Sequence, residues 1–222
     1  MRLRALTVVV TFIMVATAVA ADQIVVEDWK DKVGAAGVPH GWQRQNWGTP
    51  KYEFKVVESD GRPALHMKSA AEGSTITRDV KGKMQLKATP ILEWSWKAVK
   101  LPKGGDSCKK ATDDQAAQVF VVWPRFPEAV RSRIIGYVWD STLPAGTICK
   151  SEKTSTVTYI VVHSGPADLG KWITERRNVR DDFQKIYREA PEDPAALSLG
   201  IDSNDTDSTA ESYIGPIVLK AQ

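Results

Sequence analysis

The sequence predicts a mostly β protein, a jelly-roll-like antiparallel β-sandwich with one covering α-helix. About ten short segments alternate apolar and polar residues and favour β-branched and aromatic side chains, as half-buried strands do. Only one internal segment has helical periodicity, and strands do not alternate with helices. Antiparallel strands joined by turns bury one face each when they form two stacked sheets. With 42% hydrophobic residues and eight tryptophans, the chain can build a substantial core.

The N-terminus has the composition of a secretory signal peptide, predicted to occupy residues 1–21. Arg2 and Arg4 form a basic start, residues 6–15 are apolar, and Ala-Val-Ala at 18–20 is a small-residue cleavage site. A membrane anchor is the alternative, but the apolar run is short and no basic stop-transfer cluster follows it. We therefore expect residues 22–222 to form one exported domain, periplasmic or secreted, with no stable membrane span.

The predicted strands follow one another at short spacing. They are residues 24–29, 52–58, 64–68, 74–80, 91–99, 113–123, 134–140, 156–162, 195–202 and 212–219. Within 91–99, Leu92, Trp94, Trp96 and Ala98 are predicted to share one face of the strand. The Ser-Asp-Gly turn at 59–61 predicts a hairpin, and 134–140 is expected to pair back onto 113–123. Residues 30–50 form a long irregular loop, in which Trp42 and Trp47 are interpreted as packing plugs, although a functional loop is the alternative.

The covering helix is predicted to begin after Asn178. Its apolar stripe consists of Val179, Phe183, Ile186 and Tyr187. Asn178 is a natural N-cap, Asp181 and Asp182 lie in the first turn, and Pro191 is expected to end the helix.

Charge argues against nucleic acid as a partner. Without the two arginines of the signal peptide, 28 of the 30 basic residues remain against 27 acidic residues. The charges are interspersed, whereas nucleic-acid binding needs a concentrated basic face.

The two cysteines, Cys108 and Cys149, are expected to form one disulfide, because an even pair in an exported chain is most simply bridged. Both lie in turn-like segments, so the bridge would tie two loops at one end of the fold. A reactive thiol or a metal pair is the alternative, but no neighbouring cysteine or histidine motif supports it.

Several motifs resemble those of the DUF3047 family, a group of exported bacterial proteins with no assigned function. They are LEWSWK, DDQAAQVFVVW, IGYVW, HSGPADLGKWITERRNVRDDF and the Asp/Asn/Thr turn before the last strand. The resemblance extends over residues 26–219 and implies a β-sandwich similar to carbohydrate-binding modules. Gly215-Pro216 stands where the family pattern has Gly-Asp, so the resemblance implies no acidic or metal-binding group there.

Motifs of common enzymes are missing from the sequence. It contains no Gly-x-Ser-x-Gly elbow, no His-Glu-x-x-His and no phosphate-binding glycine loop. Of the three histidines, His163 lies where a strand meets a loop and could bind a ligand hydroxyl or act as a base. The alternative is a histidine that only hydrogen-bonds a backbone carbonyl. Carboxylates available for glycosidase chemistry are Asp113, Asp114, Asp140, Glu175 and Asp202, each of which is otherwise a turn or cap residue.

The acidic turn at Asp202, Asn204 and Asp205 resembles a calcium loop in composition. It lacks the glycine and the distal glutamate of an EF-hand, and a solvated Asx turn is the alternative. A structural calcium ion is thus the one cofactor that the pattern allows, and no other cofactor is expected.

Aromatic and polar residues predict a ligand-binding surface. Tyr137 and Trp139 share one face of a strand, Gln118 and Phe120 share a face of the neighbouring strand, and His163 lies beside them. Aromatic rings stack on the apolar faces of sugars while polar side chains bond the hydroxyls. The alternative is that these aromatic residues form the sandwich core.

Arg176 is a further candidate, because an arginine fork binds the carboxylate of an anionic polymer. Pairing of Arg176 and Arg177 with Glu175 and Asp181 is the alternative.

These observations favour an exported, non-catalytic protein that binds a glycan or a cell-envelope polymer. A carbohydrate-active lyase or hydrolase, which would use carboxylates or His163, is the second hypothesis. A structural envelope protein that binds a protein partner is the third. Fold alone is weak support for any of them.

Overall fold

The computed structural model describes residues 23–222, so the predicted signal peptide at 1–21 lies outside the described residues. Within this range, thirteen strands and two α-helices follow one another along the chain. They are β1 (Gln23–Glu27), β2 (Gln43–Arg44), β3 (Glu53–Ser59), β4 (Arg62–Ala70), β5 (Gly73–Asp79), β6 (Ile91–Lys100), β7 (Ala117–Trp123), α1 (Glu128–Arg131), β8 (Arg133–Asp140), β9 (Ile148–Lys150), β10 (Val157–Ser164), β11 (Ile173–Asn178), α2 (Val179–Tyr187), β12 (Ala196–Asp202) and β13 (Thr209–Lys220).

The strands form two sheets, which confirms the predicted β-sandwich. The six-stranded sheet has the order β11-β6-β13-β4-β3, with β1 also paired to β13, and the seven-stranded sheet has the order β2-β5-β12-β7-β8-β10-β9. One pair differs from the prediction, because β10 runs parallel to β8. Residues 141–156 provide a connection long enough for the crossover that a parallel pair requires. The seven-stranded sheet is therefore mixed.

The main core lies between the two sheets and is built from alternate residues of their strands. The predicted inner face of β6 is confirmed, since Leu92, Trp94, Trp96 and Ala98 are all buried. The hairpin between β3 and β4 and the antiparallel pairing of β7 with β8 are also confirmed. Alternation along each strand thus decides which side chains enter the core.

A second, smaller apolar cluster lies on the outer side of the seven-stranded sheet. Val138, Val157, Tyr159 and Val161 pack together, with Leu143 and Cys149 against them. The predicted disulfide is present between Cys108 and Cys149, with a Cα–Cα distance of 5.7 Å. It ties the segment at 141–156, which packs on this cluster, to the loop at 101–116.

Helix α2 begins where the sequence predicts. The side chain of Asn178 accepts a hydrogen bond from the backbone N–H of Asp181 at 3.2 Å. The helix ends before Pro191, because Arg188 adopts a left-handed conformation with φ of 58°. Within residues 23–222, no helix is long and apolar enough to cross a membrane.

The structure adds elements that the sequence does not predict. These elements are helix α1, between β7 and β8, and the strands β2, β9 and β11. Within the long loop at 30–50, Trp42 is buried and stacks on Trp29, as a packing plug would. The same prediction is wrong for Trp47, which is 59% exposed.

Candidate functional site

The predicted surface of five side chains is not formed, because its members lie on opposite faces of one sheet. In the antiparallel pairing of β7 with β8, Gln118 is opposite Val138 and Phe120 is opposite Gly136. Residues that are opposite each other in a ladder point to the same face. Gln118 and Phe120 therefore point away from the face that carries Tyr137 and Trp139.

Tyr137 and Trp139 belong to the core, as the alternative interpretation of the sequence has it. Both are 0% exposed. The Tyr137 hydroxyl donates to Asp182 Oδ2 at 2.9 Å, and the Trp139 indole N–H donates to the carbonyl of Gly165 at 3.1 Å. Neither ring is available to a ligand.

Arg176 lies apart from the other candidates, whereas His163 packs on Trp139 with the two ring centroids 4.1 Å apart. His163 is at the edge between the sheets, with Nε2 3.2 Å from Asp168 Oδ2 and Nδ1 3.5 Å from Glu175 Oε1. Burial raises the pKa of Glu175, and the charge of His163 opposes that rise. Arg176 is exposed on β11 at the edge of the six-stranded sheet, where it faces Glu93 in register. The predicted pairing of arginine with Asp181 is replaced by an ion pair of Arg177 with Asp182.

Gln118 and Phe120 lie within a row of polar and aromatic side chains on the outer face of the seven-stranded sheet. We call this row the outer-face site. Strands β5, β12, β7 and β8 contribute Thr75, Thr77, Ser198, Gly200, Gln118, Phe120 and Gly136 to it, as their register shows. Thr77 and Ser198 are joined by a hydrogen bond of 2.8 Å between their hydroxyls.

Phe120 is opposite Gly136 in the β7–β8 ladder, and its ring packs over this glycine against the sheet. A Cβ atom added at Gly136 would be 2.7 Å from Phe120 Cε1 and 2.9 Å from Tyr159 Cδ1. Real Cβ contacts are not this close, so no other residue fits at Gly136 unless the two rings move. Phe120 itself is partly exposed. Its ring also packs against the outer apolar cluster, with its centroid 6.4 Å from that of Tyr159, so only part of the ring is accessible to a ligand.

A second glycine, Gly200, leaves room for two oxygen atoms. A Cβ atom at this position would collide with Gln118 Oε1 and would lie 3.1 Å from Thr75 Oγ1. Among residues 23–222, neither of these oxygens takes part in a side-chain hydrogen bond. The site therefore offers one aromatic ring and two free oxygens within a few residues of each other.

A chain of buried hydrogen bonds through Gln115 to Asp113 holds the Gln118 amide in place. Gln118 Nε2 donates to Gln115 Oε1 at 2.5 Å, and Gln115 Nε2 donates to Asp113 Oδ1 at 2.7 Å. The other oxygen of Asp113 accepts from Ser151 Oγ at 3.2 Å and from the Tyr159 hydroxyl at 3.3 Å. Burial raises the pKa of Asp113, while these donors oppose the rise.

The acidic turn lies beside this chain of hydrogen bonds. Burial, together with the nearby charge of Asp114, raises the pKa of Asp202 to about 8. The backbone N–H of Asn204 donates to Asp202 Oδ1 at 3.3 Å, as in an Asx turn, and Asp205 pairs with Lys153. Among the described residues, no group of three or more acidic, histidine or cysteine side chains is placed to hold a metal ion. Calcium binding by this turn stays a prediction.

The outer face of the six-stranded sheet carries a different arrangement, which we call the cation–π ladder. Each member contacts the next in the order His66, Tyr213, Lys97, Trp172 and Arg62, so that two stacked rings are followed by a cation, a ring and a second cation. The His66 and Tyr213 rings stack with centroids 4.2 Å apart, and Lys97 Nζ is 4.5 Å from the Tyr213 centroid. Hydrogen bonds from Lys97 and Trp172 lower the pKa of Asp60, which lies beside the ladder.

The sequence interpretation missed most of the outer-face site. Ser198 and the two threonines are ordinary strand residues, and nothing in their pattern marks them as ligand contacts. The two glycines did carry a signal, because a glycine inside a strand indicates close approach by another group. Gly136 within IIGYVW and Gly200 within LSLGID could have been used in this way.

Solved structures similar to the chain include a carbohydrate-binding module, a xyloglucanase domain and an adhesin domain. A family 30 carbohydrate-binding module of a cellulosomal cellulase of Clostridium thermocellum is 11% identical, with 90% of this chain and 98% of that chain covered and a TM-score of 0.45. The xyloglucanase domain of NopAA, a type three effector from Sinorhizobium fredii, is 10% identical, with 82% and 93% covered and a TM-score of 0.44. The K2 cleaved adhesin domain of Lys-gingipain is 9% identical, with 91% and 100% covered and a TM-score of 0.45. At these identities and scores, the likenesses carry no argument about ligand or activity.

Two further comparisons concern the sequence itself. No curated protein matches the chain. The family model described as protein of unknown function DUF3047 matches residues 40–218, which confirms the resemblance carried by the motifs. Since this match covers well over half of the chain, the chain belongs to the DUF3047 family.

Proposed function

We propose that the protein binds a glycan without catalysis, and that the outer-face site is where the glycan lies. The observation that carries the proposal is the position of Phe120, a partly exposed ring that packs over Gly136 on the outer face, beside polar side chains. A pyranose ring presents apolar C–H groups on its face, and such a face stacks on an aromatic ring. The neighbouring hydroxyls and amide then supply hydrogen bonds to the sugar hydroxyls.

The cation–π ladder supports the proposal less well, although it contains more aromatic rings. The Tyr213 ring lies between His66 and Lys97, and two cations approach the Trp172 ring within 5.2 Å. A ring face that a cation already covers is less available to a sugar. We therefore assign the ladder a structural role.

We further propose that the protein works outside the cytoplasm, in the periplasm or after secretion. The apolar N-terminal segment supports this location, and so does the disulfide between Cys108 and Cys149. An envelope polymer is therefore among the glycans that the protein would meet.

A hydrolase or lyase remains the second hypothesis, with less support from the carboxylates named in it. Asp140 accepts hydrogen bonds from three backbone N–H groups and from a serine hydroxyl. Asp114 accepts from the backbone N–H groups of Asp205 and Thr206. Carboxylates used in this way hold loops in place.

The test compares two phenylalanines. Residues 22–222 and the variants Phe120→Ala and Phe126→Ala are titrated against a panel of soluble neutral and acidic polysaccharides and peptidoglycan fragments. Phe126 is the matched control, since it is 86% exposed on the loop between β7 and β8 and outside the outer-face site. We expect Phe120→Ala to weaken glycan binding about tenfold, equivalent to about 1.4 kcal/mol, and Phe126→Ala to leave it unchanged.

Two results would contradict the proposal. One is the absence of binding to every member of the panel by the folded wild-type protein. The other is equal binding by Phe120→Ala and the wild type, which would place any glycan elsewhere on the molecule.

A further inference from the structure

We infer that the outer-face site selects neutral, hydroxyl-bearing glycans, and that the buried carboxylate of Asp113 sets this selectivity through Gln115 and Gln118. The inference rests on the proposed function and names the ligand class that the site takes. Asp113 is a positioning residue in this account, because it acts on the ligand only through the two glutamines.

The direction of the hydrogen-bond chain follows from the groups that surround Asp113. Three side-chain donors converge on its two oxygens, namely the Gln115 amide, the Ser151 hydroxyl and the Tyr159 hydroxyl. A carboxylate that receives donors on both oxygens is an acceptor. Gln115 must therefore turn its NH₂ group toward Asp113 and its carbonyl oxygen away from it.

The same logic fixes Gln118. Because Gln115 presents its carbonyl oxygen, Gln118 has to use its NH₂ group for the contact, at 2.5 Å. The carbonyl oxygen of Gln118 is then directed toward Gly200, beside the hydroxyl of Thr75. An amide whose two ends could otherwise exchange is thus held in one orientation.

This orientation decides what the site accepts. Gln118 Oε1 can only accept a hydrogen bond, whereas the Thr75 hydroxyl can donate or accept. A sugar hydroxyl satisfies both atoms at once, since it donates to Gln118 and accepts from Thr75. A carboxylate or sulfate oxygen cannot donate, so an acidic glycan would leave its anionic oxygen against the Gln118 carbonyl.

The position of Gly200 supports this assignment. A side chain there would collide with Gln118 Oε1 and come close to Thr75 Oγ1, so glycine provides the room that both oxygens occupy. Gln118 is 5% exposed, so most of its side chain is protected from water and its hydrogen bond to Gln115 is buried. The site would thus select for hydroxyl groups without a charged side chain at the surface.

The experiment measures selectivity as well as affinity. The probes are the neutral polysaccharide that binds tightest in the panel, a partly O-methylated derivative of it, and a polyuronate. Methylation removes hydroxyl donors and keeps the ether oxygens as acceptors. We expect the wild type to prefer the unmodified polymer over both other probes by about tenfold or more, since a site that hydrogen-bonds a hydroxyl rejects analogues lacking it.

Asp113→Asn allows the chain of hydrogen bonds to reverse, so we expect the preference for the unmodified polymer to fall below about threefold. Gln115→Met interrupts the chain at similar volume and should have the same effect if Asp113→Asn folds poorly. Ser151→Ala is the matched control, because the Tyr159 hydroxyl still donates to the same oxygen of Asp113, so the chain keeps its direction and the variant should keep the wild-type preference. The melting temperature of each variant reports any purely structural damage.

The outcomes separate the two proposals. If the wild type binds none of the probes, the proposed function fails, and this inference fails with it. If the wild type binds and the Asp113→Asn and Gln115→Met variants keep its preference, the inference alone is overturned.

Discussion

The two outer faces of this sandwich both carry aromatic side chains, but on only one of them do cations cover the rings. On the six-stranded sheet, the rings of the cation–π ladder are stacked on each other or covered by Lys97 and Arg62. On the seven-stranded sheet, Phe120 rests on Gly136 and touches no cation among the described residues. In the proposed function, the cations around a ring, rather than the number of rings, decide which face binds the sugar.

Removal of the disulfide should give the largest difference in local stability between the two faces. It anchors the loop at 141–156, which packs on the outer apolar cluster of the seven-stranded sheet and not on the ladder. We expect replacement of Cys108 and Cys149 by serine to lower the free energy of unfolding by about 3–4 kcal/mol, measured in urea. Native-state hydrogen exchange should show the loss of protection in β8 and β10. An equal loss in β4 and β13 would contradict the one-sided role of this loop.

The pH dependence of stability should come from the seven-stranded face as well. Burial raises the pKa of Asp202 to about 8. The folded protein therefore keeps a proton on this group that the unfolded chain releases near pH 4. The resulting stability is complete below the unfolded pKa and is lost as the pH rises toward 8.

We expect the free energy of unfolding to fall by at least about 2 kcal/mol between pH 5 and pH 9, measured by urea denaturation. Asp202→Asn carries no titrating group and should flatten this slope. On the other face, Asp60 is exposed and its pKa is lowered by Lys97 and Trp172, so Asp60→Asn should leave the slope unchanged. A wild-type stability that rises with pH over this interval would refute the assignment to Asp202.

Filling the glycine beneath Phe120 should damage the site directly. A Cβ atom at position 136 would push the Phe120 and Tyr159 rings, which lie 2.7 and 2.9 Å from it. We expect Gly136→Ala to destabilise the fold by about 1–3 kcal/mol and to weaken glycan binding at least as much as Phe120→Ala does. Calorimetric titration and thermal melting measure the two effects. Unchanged glycan affinity in a folded Gly136→Ala variant would show that glycan binding does not depend on the packing of the Phe120 ring over Gly136.

Substitution of Lys97 in the cation–π ladder should have the smallest effect, and it should change the free energy of unfolding rather than the glycan affinity. Lys97 is 8% exposed, contacts two rings and donates hydrogen bonds to Ser59 and Asp60. We expect Lys97→Met to lower the free energy of unfolding by about 1–2 kcal/mol and to change glycan affinity less than about twofold. Lys55→Met is the control, since Lys55 is exposed on the same sheet. A larger loss of glycan binding in Lys97→Met than in Gly136→Ala would reverse the roles of the two faces.

The sequence predicted those features that depend on local pattern. The position of α2, its Asn178 cap and the inner face of β6 follow from residues near one another in the chain, and the structure confirms them. The disulfide was also predicted, because the chain has only two cysteines. Local pattern and simple counting were sufficient in these cases.

Features that depend on pairing between distant segments were not predicted. The faces of β7 and β8 were each recognised, but their relative register was not, and a shift of one residue exchanges the two faces of a strand. Gln118 and Phe120 were therefore grouped with Tyr137 and Trp139, which lie on the other side. Strand β11 was missed because ITERRN is mostly charged, and only its pairing with β6 makes it a strand.

The most direct test of the account is an NMR titration that reads the rings of both faces at once. The chain has five phenylalanines, so selective labelling of phenylalanine, tyrosine and tryptophan rings leaves few signals to assign. The account predicts that a neutral oligosaccharide shifts the ring signals of Phe120 in a saturable way, while those of Trp172 and Tyr213 stay in place. Saturable shifts at Trp172 and Tyr213, with Phe120 unaffected, would contradict it.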